Sequence, residues 1–271
     1  MSDAGFTPEQ IDTSKAHPAR MYDYYLGGRD NYEVDRAAAD RVLKLAPEIR
    51  VSARGNRAFL RRAVRAVVDR GIRQIVDVGT GIPTSPNTHE VAHAAAPGVR
   101  VAYVDNDPIV STYAGAKLTH EGDAGFVLAD VREPKAITDH PVTRDLIDFR
   151  EPVALLLVAV LHFLRDEEDP AGVVAELAGR LAPGSCLVLS HITDDFRTGG
   201  TTLAEATAVY DDATASLNLR TRAEVLRFFD GFDLLEPGLV QLPLWRPDGP
   251  VPSPEELRQY VGYAGVGVKK S

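Results

Sequence analysis

From Gly71 onward, short apolar runs alternate with segments whose apolar positions return every three or four residues. The runs are QIVDVGT (74–80), RVAYVDN (100–106), AGFVLAD (124–130), PVALLLVAV (152–160) and SCLVLSHIT (185–193). Two more follow, FDLLEPGLVQLPLW (232–245) and YVGYAGVGVK (260–269). Their length and β-branched content predict strands. THEVAHAAA, DPIVSTYAGAKLTH, DPAGVVAELAGRLAPG and TRAEVLRFFDG lie between them and carry helical spacing. Strands separated by helices imply right-handed crossovers and a mainly parallel sheet. The runs at 152–160 and 185–193 are apolar at successive positions, so both of their faces are covered. The expectation is an α/β fold: a Rossmann-like, seven-stranded, mainly parallel sheet with helices on both faces.

The first 70 residues show a different texture. Val34, Ala37, Ala38, Val42 and Leu45 recur at helical spacing, as do Phe59, Leu60, Ala63, Val64 and Val67, and Gly71 supplies a stop. No strand is evident here. The expected division is a helical cap over 1–70 and the sheet domain over 71–271.

Composition narrows the class. The 271-residue chain carries a net charge of −9, which argues against a protein that coats nucleic acid. The longest nearly apolar run, Val153 to Leu164, is too short to span a bilayer. The first twenty residues contain no apolar leader, and the single cysteine, Cys186, lies in an apolar run as an inert buried thiol. The expectation is a cytoplasmic protein that works on a small molecule, away from membranes and nucleic acid.

In a parallel sheet, ligands bind beyond the carboxyl ends of the strands. The first run ends in Asp77-Val78-Gly79-Thr80-Gly81, where glycines let backbone approach a ligand. The second ends in DNDP, with Asp105 lying 24 residues past Gly81, the distance at which an acid accepts from ribose hydroxyls. The third ends in Asp130, placed to accept from an exocyclic amine. These ends point to an adenosine site. A dinucleotide fingerprint would place a third glycine where Thr84 stands, and that glycine serves a pyrophosphate held at the next helix.

The pattern D-x-G-x-G, D-N-D-P, A-D and then AVLHF resembles a class I S-adenosylmethionine (SAM) methyltransferase. PARMYDYYLGGRDNYEVDR, RGNRAFLRRAVR, VDVGTGIPT, YVDNDP, LLVAVLHFL and APGSCLVLSH resemble, over roughly 18–268, an actinobacterial-type SAM methyltransferase family. The resemblance implies SAM as cofactor. Gly79, Thr80 and Gly81 would line the methionine and ribose side, with Asp77 orienting the methionine end. Asp105 would take the ribose diol, with Asn106 beside the adenine. Asp130 would face the adenine amine and Val131 would offer backbone. Ala159, Val160, Leu161 and His162 would pass near the sulfonium.

The segment YDYYLGGRDN combines three tyrosines with a Gly27-Gly28 break, and reads as a lid with glycine hinges or as a surface helix hairpin with the tyrosines as packing residues. Asn31, Asn56 and Arg57 join the expected cofactor contacts, and Arg20 and Arg29 are further candidates to hold a carboxylate. His162, His191 and Tyr25 are candidate bases for an acceptor that must lose a proton. Asp194 and Asp195 follow the fifth run, as a site for a basic substrate or as solvated acids. Two rival readings remain. One is a non-catalytic SAM sensor. The other is a zinc peptidase built on His89-Glu90-x-x-His93, although Asn87 and Glu90 also read as a helix cap. An NAD dehydrogenase is a weaker option.

Overall fold

The computed structural model describes residues 13–117, 122–197 and 203–271. Three helices come first: α1 (Pro18–Leu26), α2 (Glu33–Leu45) and α3 (Glu48–Asp69). Pro47 lacks the N–H that would continue α2 and stands directly before α3. The chain then alternates through β1 (Gln74–Val78), α4 (Thr88–Ala95), β2 (Arg100–Asp105), α5 (Pro108–Lys117) and β3 (Ala124–Leu128). Two short helices, α6 (Pro134–Thr138) and α7 (Pro141–Leu146), lead to β4 (Ala154–Val158), α8 (Pro170–Gly179) and β5 (Cys186–Ile192). The last elements are α9 (Ala204–Ala208), α10 (Arg222–Arg227), β6 (Phe232–Leu234), β7 (Val240–Gln241), α11 (Pro254–Leu257) and β8 (Gly262–Lys269).

The strands form one sheet in the order β3-β2-β1-β4-β5-β8-β6, with β7 paired to β8. β1 to β5 are mutually parallel, whereas β8 runs antiparallel to β5, β6 and β7. The sheet therefore has eight strands where the apolar runs predict seven. The run 232–245 breaks at Pro237-Gly238, where Gly238 has a φ of +88°, so one predicted strand becomes β6 and β7.

Successive strand residues point to opposite faces and build two cores. Val76, Val104, Leu155 and Leu189 pack under α8 and α10, and Ile75, Tyr103, Leu156 and Val188 pack under α3 and α4. A third cluster holds the cap together. Met21, Tyr25, Ala39, Val42, Ile49 and Ala53 join Leu203, Ala206, Val209 and Tyr210, so α9 and the turn after it complete the roof that α1 and α2 begin. α3 serves both layers: Ile49 and Ala53 face the cap, while Phe59 to Val68 face the sheet. Among the described residues, no helix is long and apolar enough to cross a membrane.

Candidate active site

A cavity of about 450 Å³ opens at the carboxyl ends of β1, β2, β4 and β5, under the cap. This is within the usual range for a small-molecule site. The β1 turn is its floor. Gly79 (φ +73°) and Gly81 (φ +66°) take conformations that favour glycine. A Cβ on Gly79 would lie 2.6 Å from Val160 Cγ2, so that glycine lets the loops after β1 and β4 meet, and a Cβ on Gly81 would enter open space.

Asp105 is buried at the end of β2. One of its carboxylate oxygens accepts from Gly81 N–H (2.8 Å) and the other from Asp107 N–H (3.0 Å). Each oxygen keeps acceptor capacity toward the cavity that Asp105 lines. Burial pushes its carboxyl pKa up to about 6 against the pull of those N–H groups. Asp77, also buried, accepts from the Thr88 hydroxyl at 2.6 Å, and burial raises its pKa as well.

The loop after Gly81 leads to a helix start that is bonded within the protein. The Glu90 carboxylate accepts from the backbone N–H of Asn87 and from the Ser85 hydroxyl, and His89 N–H donates to Tyr103 Oη at 2.8 Å. Two N–H groups at the start of α4 are thus bonded within the protein and are not turned to an external phosphate. A Gly-lined floor beside a ribose-competent acid, without the third glycine of a dinucleotide site, fits a cofactor with adenosine at one end and no phosphates. The profile of the S-adenosyl methyltransferase family matches residues 4–270.

The chain belongs to the S-adenosyl methyltransferase family. Its cofactor is SAM. No curated protein gives a significant match to it. It is similar to the crystal structure of a presumptive methyltransferase from Thermobifida fusca YX, with 41% identity, 97% of this chain and 98% of that one covered, and a TM-score of 0.90. A DUF574 family protein from Streptomyces avermitilis is also 41% identical, over 96% of this chain and 99% of that one, with a TM-score of 0.88. Human N-acetylserotonin methyltransferase in complex with SAM shares the fold at 14% identity and a TM-score of 0.50, over 97% of this chain and 65% of that one.

Most residues that the sequence singles out line the methyltransferase's cavity: Asp77, Gly79, Thr80, Gly81, Asp105, Asn106, Val131, Ala159, Val160, His162, Asn56, Arg57, Tyr25 and His191. Asp130, Leu161 and Asn31 stand outside its wall. Asp130 accepts from Asn106 Nδ2 (2.8 Å) and pairs with Arg132 (3.1 Å), which also binds Glu168, so this acid is already neutralised. Leu161 is packed in the core. Asn31 Nδ2 donates to Asp23 (2.7 Å) and to the Gly28 carbonyl (3.1 Å) in the turn between α1 and α2. That turn is packed where a hinge is expected: Gly27 is the left-handed cap of α1, and a Cβ on Gly28 would collide with the Asp23 carboxylate. Arg57 Nη2 donates to the Thr84 and Pro86 carbonyls and fixes the β1 loop. Arg29 is exposed. Asp195 accepts from the Tyr263 hydroxyl and Arg222 N–H, while Asp194 accepts from Leu203 N–H.

The two buried histidines differ. Arg220 Nη1 donates to His191 Nε2 at 3.0 Å, so His191 carries its proton on Nδ1 and donates it to the Ile192 carbonyl at 2.7 Å. Both nitrogens are committed, and burial pushes the His191 pKa down to about 3. His162 Nδ1 is buried with no hydrogen-bond partner, and burial first, then His191 and Arg220, hold the ring neutral. Arg220, which no sequence motif marks, also donates to the carbonyls of Leu161 (3.0 Å) and Leu164 (2.8 Å) and pairs with Asp166 (2.7 Å). It thereby staples the turn that carries His162.

Ala159 is a non-glycine residue at φ +58°. Its N–H donates to Ser190 Oγ (3.0 Å), Ser190 Oγ–H donates to Asn56 Oδ1 (2.6 Å), and Asn56 Nδ2 donates to Tyr22 Oη (2.9 Å). This relay ties the strained end of β4 to the cap.

The His89-Glu90-x-x-His93 string serves structure. The Tyr103 hydroxyl donates to His89 Nδ1 at 2.8 Å, His93 Nε2–H donates to the Val99 carbonyl at 2.8 Å, and Glu90 is the cap acid. Among the described residues, no three His, Cys, Asp or Glu side chains are grouped to hold a metal.

Proposed function

We propose that this methyltransferase methylates an oxygen of a small-molecule acceptor in the cytoplasm, with His162 as the base. The carrying observation is the neutral His162 imidazole in the cavity wall, whose buried Nδ1 has no hydrogen-bond partner among the described residues. When bound, SAM supplies an electrophilic methyl group on a sulfonium sulfur. Asp105 would hold the ribose diol, and Gly79 to Gly81 would lie against the cofactor's middle. Asp77 and Arg57 would serve the methionine end, and Asn106 and Val131 the adenine.

A neutral imidazole accepts the proton that an acceptor hydroxyl loses as its oxygen gains the methyl group. His191, with both nitrogens committed, acts instead through Arg220 on the position of the His162 turn. Tyr25 keeps its proton, since burial raises its pKa far above the physiological range, and so donates hydrogen bonds. The cap over the cavity excludes water and restricts the approach of the two reacting atoms, from which much of the rate of such a transfer comes.

His162→Gln is expected to lower turnover by at least a hundredfold, within the usual contribution of a general base. SAM affinity in calorimetry should stay within about twofold. Retained turnover would remove His162 from the base role, and absence of SAM binding to the unaltered protein would overturn the cofactor placement.

A further inference from the structure

The cavity extends past the strand ends into the cap. There its walls are Tyr22, Tyr25, Ile49, Phe163, Tyr210 and Leu217. The charged side chains that line the cavity elsewhere all have partners. Asp77, Asp105 and Asp107 accept hydrogen bonds, Arg57 is tied to carbonyls, and Arg132 is paired with Asp130 and Glu168. Arg20 lies 3.3 Å from Asp35, and His17 lies 3.2 Å from Asp107. Under the cap, no Asp, Glu, Lys or Arg stands among the described lining residues contributed by 158–164, 190–192, 210–217 or 261–262. A charged group brought into this end would lose its hydration and meet no charged side chain in that part of the lining, which costs several kcal/mol or more.

The polar chemistry at this end is concentrated in two places. One is His162. The other is the buried pair Tyr25–Tyr210, whose hydroxyl oxygens lie 3.0 Å apart. Two phenols carry two hydroxyl protons, and their mutual bond uses one. The second has no partner among the described residues, and burial keeps both phenols protonated. Phe163 lies between the two places, its ring centroid 4.4 Å from that of His162 and 6.1 Å from that of Tyr210. The walls between them are aromatic and aliphatic.

We infer that the cap end of the cavity is an acceptor subsite for an uncharged, largely apolar aromatic alcohol, which presents the hydroxyl to be methylated at His162 and a second, hydrogen-bond-accepting oxygen to the Tyr25–Tyr210 pair. This rests on the methyl-transfer reading above. The tyrosine pair selects the acceptor by donating its remaining O–H to an oxygen that accepts it. The apolar walls exclude carboxylates and ammonium groups by the cost of their desolvation.

A matched series on one ring system tests this. The full-length protein, saturated with S-adenosylhomocysteine, is titrated by calorimetry with 6-acetyl-2-naphthol, 2-naphthol, 6-hydroxy-2-naphthoate and 6-(aminomethyl)-2-naphthol. The expected result is that the acetyl compound binds at least tenfold more tightly than the anionic and cationic ones. In the double variant Tyr25→Phe/Tyr210→Phe it should weaken about tenfold, to the level of 2-naphthol. That variant must still bind S-adenosylhomocysteine, which shows that its pocket is folded; Tyr210→Phe alone, which keeps one phenol, is the reserve if the double variant is unstable. Equal or tighter binding of either charged compound, or no preference for the acetyl compound, overturns the subsite. Failure of S-adenosylhomocysteine itself to bind would instead strike the methyl-transfer reading.

Discussion

Asp105 is held where ionisation is costly, and its protonation state sets how well it can receive a diol. Hydroxyl donors favour the carboxylate form, so SAM affinity is expected to fall as pH drops below about 6, by up to a factor of ten per pH unit. Calorimetry between pH 5 and 8 would show this, and Asp105→Asn should flatten the profile at low affinity. His162 stays neutral across that range and does not produce the step. The same group acts on folding with the opposite sense. Its folded pKa lies above the unfolded one, so the ligand-free protein gains stability from it at low pH and loses it as pH rises from about 4 to 6. The size is roughly 3 kcal/mol. At Gly79, alanine would combine a left-handed backbone with a Cβ overlapping Val160, and a loss of about 2 kcal/mol or more in urea unfolding is expected. Gly81→Ala shares the strain without the overlap and should cost less.

At the level of elements, β4 and β5 were legible from apolar runs that are buried on both faces, and β1 to β3 from short β-rich runs set between helical segments. α6, α7, α9 and α11 span four to six residues each, too short for any periodicity to emerge. α1 escaped because its nine residues bury Arg20 and Asp23 along with Met21 and Tyr25, which blurs the apolar face. Asp130 and Leu161, read from their strand ends, stand outside the cavity wall, but the places of Asp105 and the β1 glycines on that wall could be read from the sequence. The partners that decide their roles could not: Arg220 lies 29 residues from His191, and Asn56 lies 134 from Ser190. Nothing local in the sequence marks such pairings. Arg220→Met would leave His191 Nε2 and the Leu161 and Leu164 carbonyls without their donor. A destabilisation of about 3 kcal/mol or more is expected in chemical denaturation, together with a larger fall in kcat than in SAM affinity.

Across the whole molecule, the cap is fastened to the sheet through charge as well as packing. Arg20 is buried between Asp35 of α2, at 3.3 Å, and Asp107 beyond β2, at 4.0 Å. Arg20→Met would leave both acids buried without their cation. A stability loss of about 3–5 kcal/mol is expected, with weakened SAM binding, since Arg20 lines the cavity and its partner Asp107 belongs to the motif that ends β2. Thermal unfolding with and without S-adenosylhomocysteine would measure both. An unchanged melting temperature would show that the clamp contributes nothing.

The position of β8 bears on how the protein is made. This strand, Gly262–Lys269, lies inside the sheet between β5 and β6 and, among the described residues, supplies the only partner of β7. A chain emerging from the ribosome carries β5 with one bare edge until the last strand appears. Tyr25 likewise waits for Tyr210, 185 residues later. Contacts of such sequence separation close late because they carry the largest loop entropy. From the emergence of Ile192 until that of Gly262 the nascent protein therefore carries an open apolar edge, a stage at which chaperones would find it and the cofactor would not.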